Sequence, residues 1–295
     1  MRILFFGGHD LGKITLEYLL EQDKDVLAAV MTETDNEWYH GLEEVTDKYD
    51  LKLFEEKNIN DNQFVEKVRN ELKPDLIISV NFDQIFKNEI INIPEKGCIN
   101  IHASLLPKYR GRAPLNWAIL KGEKETGVTV HYINQGIDTG KIILQEKIEI
   151  KKTDYITDIL EKVKVKYPEM INKAVDLLKK DEVDPVEQKK ENGSYYGKRN
   201  PADGLIDWSQ SAKDIYNLIR AVSHPYPGAF TYLNDEKVFI WRAEVKAETV
   251  NDEQPGQIIE KAHDTFLVQC GRGQLLITDY EVETEINTGD IFDGE

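Results

Sequence analysis

The sequence predicts an α/β protein, with a Rossmann-like, mostly parallel sheet followed by a small C-terminal β-barrel-like domain. Apolar runs of strand length alternate with helix-period segments through the first half, which is typical of a parallel sheet. Short strands with Gly and Asn turns replace that pattern near the end. The 295 residues suit one large and one smaller domain. We predict an N-terminal domain over residues 1–190, a linker over 191–205 and a β-rich, OB-like domain over 206–295.

The first half contains four apolar strands that alternate with helices, whose apolar residues recur at helical spacing. The strands are "MRILFFGG", "DVLAAVMTE", "PDLIISVNF" and "GCINIHASLL", and the helices between them are "KITLEYLLEQ", "QFVEKVRNELK" and "IFKNEIINI". Two more strands follow in "TGVTVHYIN" and "GKIILQEKIEI". A long helical stretch comes next, and Pro168 is predicted to break or kink it.

The pattern changes after the long helical stretch. The segment "KKDEVDPVEQKKENGSYYGKRNPADG" is polar and rich in turn formers, which indicates a linker or an extended surface segment. One amphipathic helix, "SAKDIYNLIRAV", follows it. The remaining chain contains closely spaced short strands, which favour a small barrel or sandwich: "AFTYL", "KVFIWRAEV", "GQIIEKA", "TFLVQC" and "GQLLITDYEV".

Composition and charge argue against several classes of protein. The formal net charge of −17 repels nucleic acid at long range. No apolar run approaches the ~20 residues of a membrane span, and the N-terminal run reaches glycine too soon for a signal peptide. Cys98 and Cys270 lie far apart and are expected to be reduced core thiols. We therefore expect a cytoplasmic protein, and we expect no metal because no histidine has ligand spacing to another histidine or to a cysteine.

An amide and an imidazole stand two residues apart near the end of the fourth strand. Asn100 and His102 therefore face the same way, and ligands of open parallel sheets bind beyond the carboxyl ends of strands. An imidazole transfers protons near neutral pH, and an amide N–H can donate to an oxyanion. Asp138, in the turn "NQGIDTGKI", is a candidate to lie beside His102 and raise its pKa. Structural roles at a strand end and in a turn are the alternative for these residues.

The stretch "NIHASLLPKYRGRAPLNWAILKGEKETGVTVHYINQGIDTGKIILQ" and the later block "RNPADGLIDWSQSAKDIYNLIRAVSHPYPGAFTY" resemble the folate-dependent formyltransferases. The similarity is closest to nucleotide-sugar N-formyltransferases, such as the formyltransferase part of the bifunctional polymyxin-resistance enzyme acting on UDP-4-amino-4-deoxy-L-arabinose. It extends to the methionyl-tRNA formyltransferases. The resemblance implies a formyltransferase-type fold and formyl transfer from N10-formyltetrahydrofolate to a primary amine.

The resemblance also implies roles for individual residues. Asn100 would stabilise the oxyanion, His102 would shuttle the proton, and Asp138 would orient His102. The folate co-substrate would bind mainly through backbone groups of two segments, with Arg112 meeting an anionic portion of donor or acceptor. The residues assigned in this way to the donor site are Gln84, Ile85, Phe86, Arg112, Asn134, Gln135, Gly136, Ile137 and Asp138.

A nucleotide-linked amino sugar and a charged initiator tRNA both present a primary amine, so the catalytic residues do not distinguish these two acceptors. The charge of the protein surface does. A tRNA requires several phosphate contacts and thus a basic surface. The tRNA enzymes carry a basic insertion after the second strand, whereas residues 34–50 here contain six acids and one lysine, and residues 247–254 and 278–295 are also acid-rich. We therefore predict a UDP- or dTDP-linked 4-amino-deoxy sugar, used for lipopolysaccharide or another polysaccharide. Arg112, Lys198 and Arg199 would meet its phosphates. The alternatives are solvated surface charge for Arg112 and an exposed linker pair for Lys198 and Arg199.

Other interpretations remain alternatives at this point. A folate- or nucleotide-binding module without activity is one, although all three catalytic residue types are present. A nicotinamide site at Gly7, Gly8 and Gly12 has weak support, because the pattern is not G-x-G-x-x-G. The oligomeric state is open. Structural or solvated roles are expected for the remaining candidates, although some of the aromatic ones are possible nucleobase-stacking partners: His9, His131, His224, Tyr109, Trp117, Tyr226, Phe230 and Tyr232.

Overall fold

The structure, a computed structural model, describes residues 1–34, 40–247 and 253–293. The chain forms two compact units. Unit 1 consists of Met1–Gly111, Gly127–Ile148 and Glu161–Tyr195, and unit 2 consists of Arg112–Thr126, Glu149–Leu160 and Tyr196–Glu295. The domain boundaries drawn from the sequence stay a prediction.

A seven-stranded sheet forms the centre of unit 1. The strands of this part of the chain are β1 (Ile3–Gly7), β2 (Val26–Thr32), β3 (Leu53–Glu56), β4 (Leu76–Val80), β5 (Cys98–His102), β6 (Arg110–Gly111), β7 (Glu125–Tyr132), β8 (Ile142–Glu149) and β9 (Tyr195–Tyr196). In the large sheet they follow the order β3-β2-β1-β4-β5-β7-β8. The five strands from β3 to β5 in that order are parallel neighbours, and β7 runs antiparallel to β5. The predicted mostly parallel sheet is therefore confirmed.

Helices form where apolar residues recur every three or four positions along the chain. Those of the described residues are α1 (His9–Glu21), α2 (Leu42–Lys48), α3 (Asn62–Lys67), α4 (Asn88–Ile91), α5 (Pro114–Leu120), α6 (Ile156–Lys179) and α7 (Ala212–Val222), with a π-helical turn at Val68–Leu72. In α1, for example, Leu11, Leu16 and Leu19 are buried. None of the helices in the described parts of the chain is long and apolar enough to cross a membrane.

An aromatic cluster fixes one part of the core of unit 1. The ring of Phe6, on β1, meets Phe64, Phe82 and Phe86 edge-on at centroid distances of 6.3, 5.3 and 5.0 Å. Such pairs contribute about 0.5–1.5 kcal/mol each beyond their buried area. The packing therefore anchors the segment that follows β4, which is one of the two segments assigned to the folate donor.

The predicted break at Pro168 is wrong, because α6 continues through this residue, and the alternative of a kink there stays a prediction. A proline inside a helix removes one hydrogen bond and costs about 3 kcal/mol or more. The helix face beside it buries Val163, Tyr167, Met170 and Ile171. Full burial of each such apolar side chain is worth about 1.5–3 kcal/mol, so the packing of this face outweighs the cost of the proline.

Unit 2 contains a five-stranded antiparallel sheet, which confirms the separate β-rich part of the predicted fold class. Its strands are β10 (Ala229–Leu233), β11 (Glu236–Ala247), β12 (Ile258–Lys261), β13 (Phe266–Gln269) and β14 (Gln274–Glu281), in the order β10-β11-β14-β13-β12. The C-terminal segment bridges both edges, since Asp293 pairs with Tyr232 of β10 and Ile291 pairs with Gln257 beside β12. These bridges cover the exposed edges, as closure of a barrel would.

Candidate active site

The pairing of β5 with β7 sets the geometry of the predicted catalytic group. The register places Asn100 opposite His131 and His102 opposite Thr129. Residues that are directly opposite in an antiparallel pair point to the same face of the sheet, so Asn100, His102 and His131 share one face. The loop after β7 then brings in Asp138, whose positive φ of 52° is a conformation that Asp tolerates better than most residues.

His102 is almost wholly enclosed, with 7% of its surface exposed. Its Nε2 lies 2.8 Å from the carbonyl oxygen of Tyr109. Because a carbonyl only accepts, Nε2 carries the hydrogen and donates it, which leaves a lone pair on Nδ1 of the neutral ring. That Nδ1 lies 3.7 Å from Oδ2 of Asp138, which is too long for a hydrogen bond but within ion-pair distance once the ring is protonated.

Asp138 is held from several sides. Its Oδ2 accepts a hydrogen bond of 2.9 Å from the amide of Gly111, and its Oδ1 lies 3.5 Å from Nε2 of His131. Burial alone would raise the pKa of this carboxyl group, but His102, His131 and the Gly111 amide together lower the pKa of Asp138 to about 2. The side chain therefore stays ionised over the whole physiological range.

Asp138 raises the pKa of His102, as predicted, but the net pKa of His102 is lowered from its ordinary value. Burial lowers the pKa of His102, and this outweighs the raising effects of Asp138 and of the hydrogen bond to Tyr109. The sequence places a carboxylate near the imidazole but does not reveal how little water reaches the ring. His102 is consequently neutral at pH 7 and able to accept a proton.

His131 is the residue of this site that sequence reasoning missed. It does lie on a strand and donates from Nδ1 to the carbonyl oxygen of Tyr132 at 2.9 Å, as a structural histidine would. Its Nε2, however, accepts a hydrogen bond of 3.2 Å from Nδ2 of Asn100 and faces Asp138. The two-residue spacing of Thr129 and His131 indicated that both side chains lie on one face of the strand. Only the pairing of this strand with β5 shows that this face is the one that carries Asn100 and His102.

The first segment assigned to the donor lies after β4. The side chain of Gln84 is used internally, since its Nε2 donates to the carbonyl oxygen of Glu56 at 2.8 Å and its Oε1 accepts from the amide of Ile59 at 2.9 Å. Phe86 is 5% exposed and belongs to the aromatic core, whereas Ile85 is 68% exposed. Backbone groups and Ile85 are therefore the parts of this segment that a ligand can reach.

The second segment assigned to the donor forms a tight loop between β7 and β8. Oδ1 of Asn134 accepts from the amide of Gly136 at 3.0 Å and from Oγ1 of Thr139 at 2.7 Å. At the loop's end, a Cβ on Gly140 would run into the carbonyl oxygen of Tyr132. Ile137 is 47% exposed, so this loop also presents backbone and one apolar side chain to the solvent. Gln135 is exposed as well.

The remaining candidates have simpler places in the structure. Gly12 lies in the first turn of α1 and packs closely on the ends of two strands, since a Cβ there would lie 3.4 Å from backbone atoms of Gly7 and Val80. His224 stacks on the ring of Trp241 at 3.9 Å. Arg112 is exposed. Within the residues that the structure describes, no group of three or more His, Cys, Asp or Glu side chains is placed to hold a metal ion.

Comparisons with known proteins follow the same two-part division. The sequence profile described as formyl transferase matches residues 1–175, and the profile described as formyl transferase, C-terminal domain, matches residues 198–293. The bifunctional polymyxin resistance protein ArnA of Wigglesworthia glossinidia brevipalpis is 36% identical over 282 residues, which are 94% of this chain and 42% of that protein. The chain thus spans less than half the length of this curated relative.

Solved structures share the fold. The N-formyltransferase of Helicobacter canadensis, in complex with folinic acid and dTDP-3-aminofucose, superposes with a TM-score of 0.75 at 23% identity over 95% of this chain and 99% of that one. The methionyl-tRNA formyltransferase of Clostridium thermocellum superposes with a TM-score of 0.62 at 20% identity over 97% of this chain and 100% of that one. At these identities the likeness concerns the fold alone.

Proposed function

We propose that this chain, which belongs to the formyl transferase family, moves the formyl group of N10-formyltetrahydrofolate to the amino group of a nucleotide-linked 4-amino-deoxy sugar. The family supplies the reaction type. The relative with 36% identity over 94% of this chain is a polymyxin resistance protein, and the Helicobacter canadensis neighbour holds a dTDP-linked amino sugar. The ligand of that neighbour supports a sugar nucleotide as the acceptor, and the resemblance of this sequence to the nucleotide-sugar N-formyltransferases extends the choice to UDP- or dTDP-linked sugars.

The observation on which the proposed chemistry depends is the enclosed neutral His102 beside ionised Asp138. The neutral amine attacks the formyl carbon, and the new N–C bond leaves an oxyanion on the formyl oxygen and a positive charge on the amine nitrogen. His102 takes the amine proton on Nδ1, and the imidazolium is then stabilised by Asp138 and by the carbonyl of Tyr109. The same proton passes to N10 of the folate as the C–N10 bond breaks, so atoms and charge balance.

Asn100 is placed to stabilise the oxyanion. An amide nitrogen has two hydrogens, and Nδ2 of Asn100 uses one of them on Nε2 of His131. The second is available to the formyl oxygen. A fixed donor of this kind, in a site with little water, is worth about 10²–10³-fold in rate. His131 thus acts as a positioning residue, since it fixes the orientation of the amide.

The donor site is proposed at the two loops that expose their backbone. Residues 84–86 and 134–138 would present amide and carbonyl groups to the folate ring, whose edge carries several donors and acceptors. Arg112, which is exposed, would meet an anionic portion of the donor. These assignments rest on the resemblance of this sequence to the family and on the accessibility of the loops.

Charge favours a sugar nucleotide over tRNA. In residues 34–50, Glu43 and Glu44 lie in the first turn of α2, and the one lysine, Lys48, forms an ion pair of 2.7 Å with Glu17. Residues 35–39 of that segment and residues 248–252 and 294–295 of the acidic C-terminal stretches lie outside the described residues. The described part offers no excess cation for RNA phosphates, which bind through several Lys or Arg contacts.

The location of the reaction is proposed to be the cytoplasm. Cys98 and Cys270 are both buried, free thiols, which suits a reducing compartment. A cytoplasmic enzyme would draw on the folate and sugar-nucleotide pools in the same place.

The decisive assay supplies N10-formyltetrahydrofolate with a panel of UDP- and dTDP-linked 4-amino sugars, and in parallel with charged initiator tRNA. We expect formylated sugar nucleotide, detected by mass spectrometry, and unmodified tRNA. Formylation of tRNA alone would replace the proposal with the methionyl-tRNA activity. Donor binding without turnover on any amine would instead identify a non-enzymatic binding module.

A further inference from the structure

We infer that unit 2 contains a binding site for the diphosphate of a nucleoside diphosphate, formed by Arg199, Lys198 and Lys121 around the ring of Trp117. The inference rests on the proposed function, because it names the part of unit 2 that recognises the proposed acceptor. All of these residues lie within unit 2.

Two distant segments of the chain are held together to form this site. The amide of Arg112 donates to the carbonyl oxygen of Tyr196 at 3.0 Å, and Nε1 of Trp117 donates to the carbonyl oxygen of Gly197 at 3.3 Å, across 80 positions in the chain. The ring of Tyr196 stacks on that of Trp117 at 4.8 Å with an interplanar angle of 29°. The indole is therefore fixed by its N–H and by a stacked neighbour.

The guanidinium of Arg199 lies over this fixed ring, 5.0 Å from its centroid. A cation at this distance from an indole face is held by about 0.5–2 kcal/mol. Nη2 of Arg199 donates to the carbonyl oxygen of Asp203 at 2.8 Å, which uses one of the five N–H groups of the side chain. The others are available in a planar fork, the geometry that binds two phosphate oxygens together.

Two lysines add charge around the same ring. Nζ of Lys121 lies 6.0 Å from the centroid of Trp117, and Lys198 is the exposed neighbour of Arg199 in the chain. Among the residues that the structure describes, neither these lysines nor Arg199 forms an ion pair with a carboxylate. The protein has 54 acidic and 37 basic residues, and some exposed lysines elsewhere, such as Lys48 and Lys57, are paired with glutamates.

A purely structural role explains only part of this arrangement. Arg199 does brace the turn at Pro201–Gly204 through Asp203, but that contact needs one N–H and no charge. Burial lowers the pKa of Arg199 from its ordinary value and outweighs the raising effect of the Asp203 carboxylate, so that carboxylate does not fully offset the cost of burying the guanidinium. A bound phosphate would offset that cost. A diphosphate in a sugar nucleotide carries two negative charges, which one fixed guanidinium and two mobile ammonium groups more than neutralise.

The test is isothermal titration of the full chain with UDP, dTDP and inorganic pyrophosphate. We expect Arg199→Gln to raise the Kd for UDP or dTDP by about 10- to 30-fold and Lys198→Gln to raise it by about 3-fold, in line with charged hydrogen bonds of about 1.5–3 kcal/mol and exposed ion pairs of under 1 kcal/mol. The matched control is Lys213→Gln, which removes the same charge from an exposed position of α7 and leaves the Kd unchanged. Equal Kd values for Arg199→Gln and Lys213→Gln would overturn the site.

Two further measurements keep the result interpretable. Arg199→Lys keeps the charge but loses the fork, so it should fall between wild type and Arg199→Gln in affinity while retaining the wild-type melting temperature. If the protein bound inorganic pyrophosphate but neither UDP nor dTDP, the nucleotide assignment would be overturned. In the formylation assay, Arg199→Gln should raise KM for the sugar nucleotide and keep kcat within about two-fold. If the enzyme formylates the sugar nucleotide and Arg199→Gln has the wild-type KM, this site is refuted and the proposed function stands. If nucleotide binding depends on Arg199 but no sugar is formylated, the site is supported and the proposed function is refuted.

Discussion

His102 in unit 1 and Arg199 in unit 2 are the central side chains of two polar clusters that are built in opposite ways. His102 is enclosed, and each of its ring nitrogens faces a defined oxygen, the carbonyl of Tyr109 or the carboxylate of Asp138. Arg199 rests on an aromatic ring and, among the described residues, forms no close ion pair, although the carboxylate of Asp203 acts on it electrostatically. A group that transfers a proton requires fixed geometry and little water. A group that binds a charged ligand requires unpaired donors, and the two clusters meet these separate demands.

The largest effect is expected from His102→Ala. The variant loses the proton shuttle, so kcat should fall by about 10²–10⁴-fold, while the Kd for the nucleotide stays at the wild-type value. Formylation assays quenched at fixed times measure kcat, and titration calorimetry measures the nucleotide Kd. His263→Ala is the control, because the side chain of His263 is 94% exposed. Wild-type turnover in His102→Ala would remove this histidine from the mechanism.

A smaller loss, with a change in pH dependence, is expected from Asp138→Asn. The neutral form of His102 is the active base, so kcat/KM should fall as the pH decreases through the pKa of His102, which burial lowers from its ordinary value. Removal of the carboxylate destabilises the imidazolium and lowers that pKa further. We expect kcat to fall by about 10²-fold, which corresponds to about 2.7 kcal/mol of the barrier, and the acid limb of the profile to move to lower pH.

The control for this pH profile is Asp264→Asn, since the side chain of Asp264 is 85% exposed. It should reproduce the wild-type curve. An acid limb that moves to higher pH in Asp138→Asn would contradict the assignment of Asp138 as the partner of the imidazolium.

His131→Gln should reduce activity less than His102→Ala or Asp138→Asn. The loss of one hydrogen bond to Asn100, worth about 1 kcal/mol, corresponds to a decrease of about five-fold in kcat. KM for both substrates should stay constant, because His131 orients the oxyanion donor and contacts neither ligand in the proposed mechanism. A raised KM with unchanged kcat would indicate a binding role instead. The kinetic comparison with His263→Gln controls for the loss of a histidine elsewhere.

The smallest effect is expected from Ser211→Ala, which weakens unit 2 without touching either cluster. Ser211 caps α7 by accepting a hydrogen bond from the amide of Asp214 at 3.2 Å. Its loss should lower the free energy of unfolding by about 1 kcal/mol, measured by denaturant titration, while kcat and the nucleotide Kd stay constant. Ser211→Asp retains the cap and should remain close to wild type. A change in kcat would mean that catalysis depends on the stability of unit 2.

Much of the fold was predictable, because apolar runs such as β1 and β4 are fully buried strands with a strong local pattern. The edge strand β3, with the sequence "LFEE", was missed since it is short and half charged. The helix through Pro168 was misjudged because its tertiary packing offsets a local penalty. Local signals therefore identify the buried elements, whereas edges and exceptions depend on contacts that the sequence does not display.

The site was predictable in its residue types but not in its electrostatics. Asn100, His102 and Asp138 were identified by spacing and resemblance, and the structure connects them through His131 and the amide of Gly111. The role of His131 depends on strand register, and the lowered pKa of His102 depends on burial. The internal use of the Gln84 side chain depends on its contacts with Glu56 and Ile59. Each of these properties arises from tertiary structure.

The most direct test of the central claim is an NMR titration of the ring nitrogens of His102 in ¹⁵N-histidine-labelled protein, assigned by comparison with His102→Ala. We predict a neutral ring at pH 7, with the hydrogen on Nε2 and an unprotonated Nδ1, and a pKa below 6.5. A His102 that is protonated at pH 7, or that carries its hydrogen on Nδ1, would contradict the proposed proton transfer.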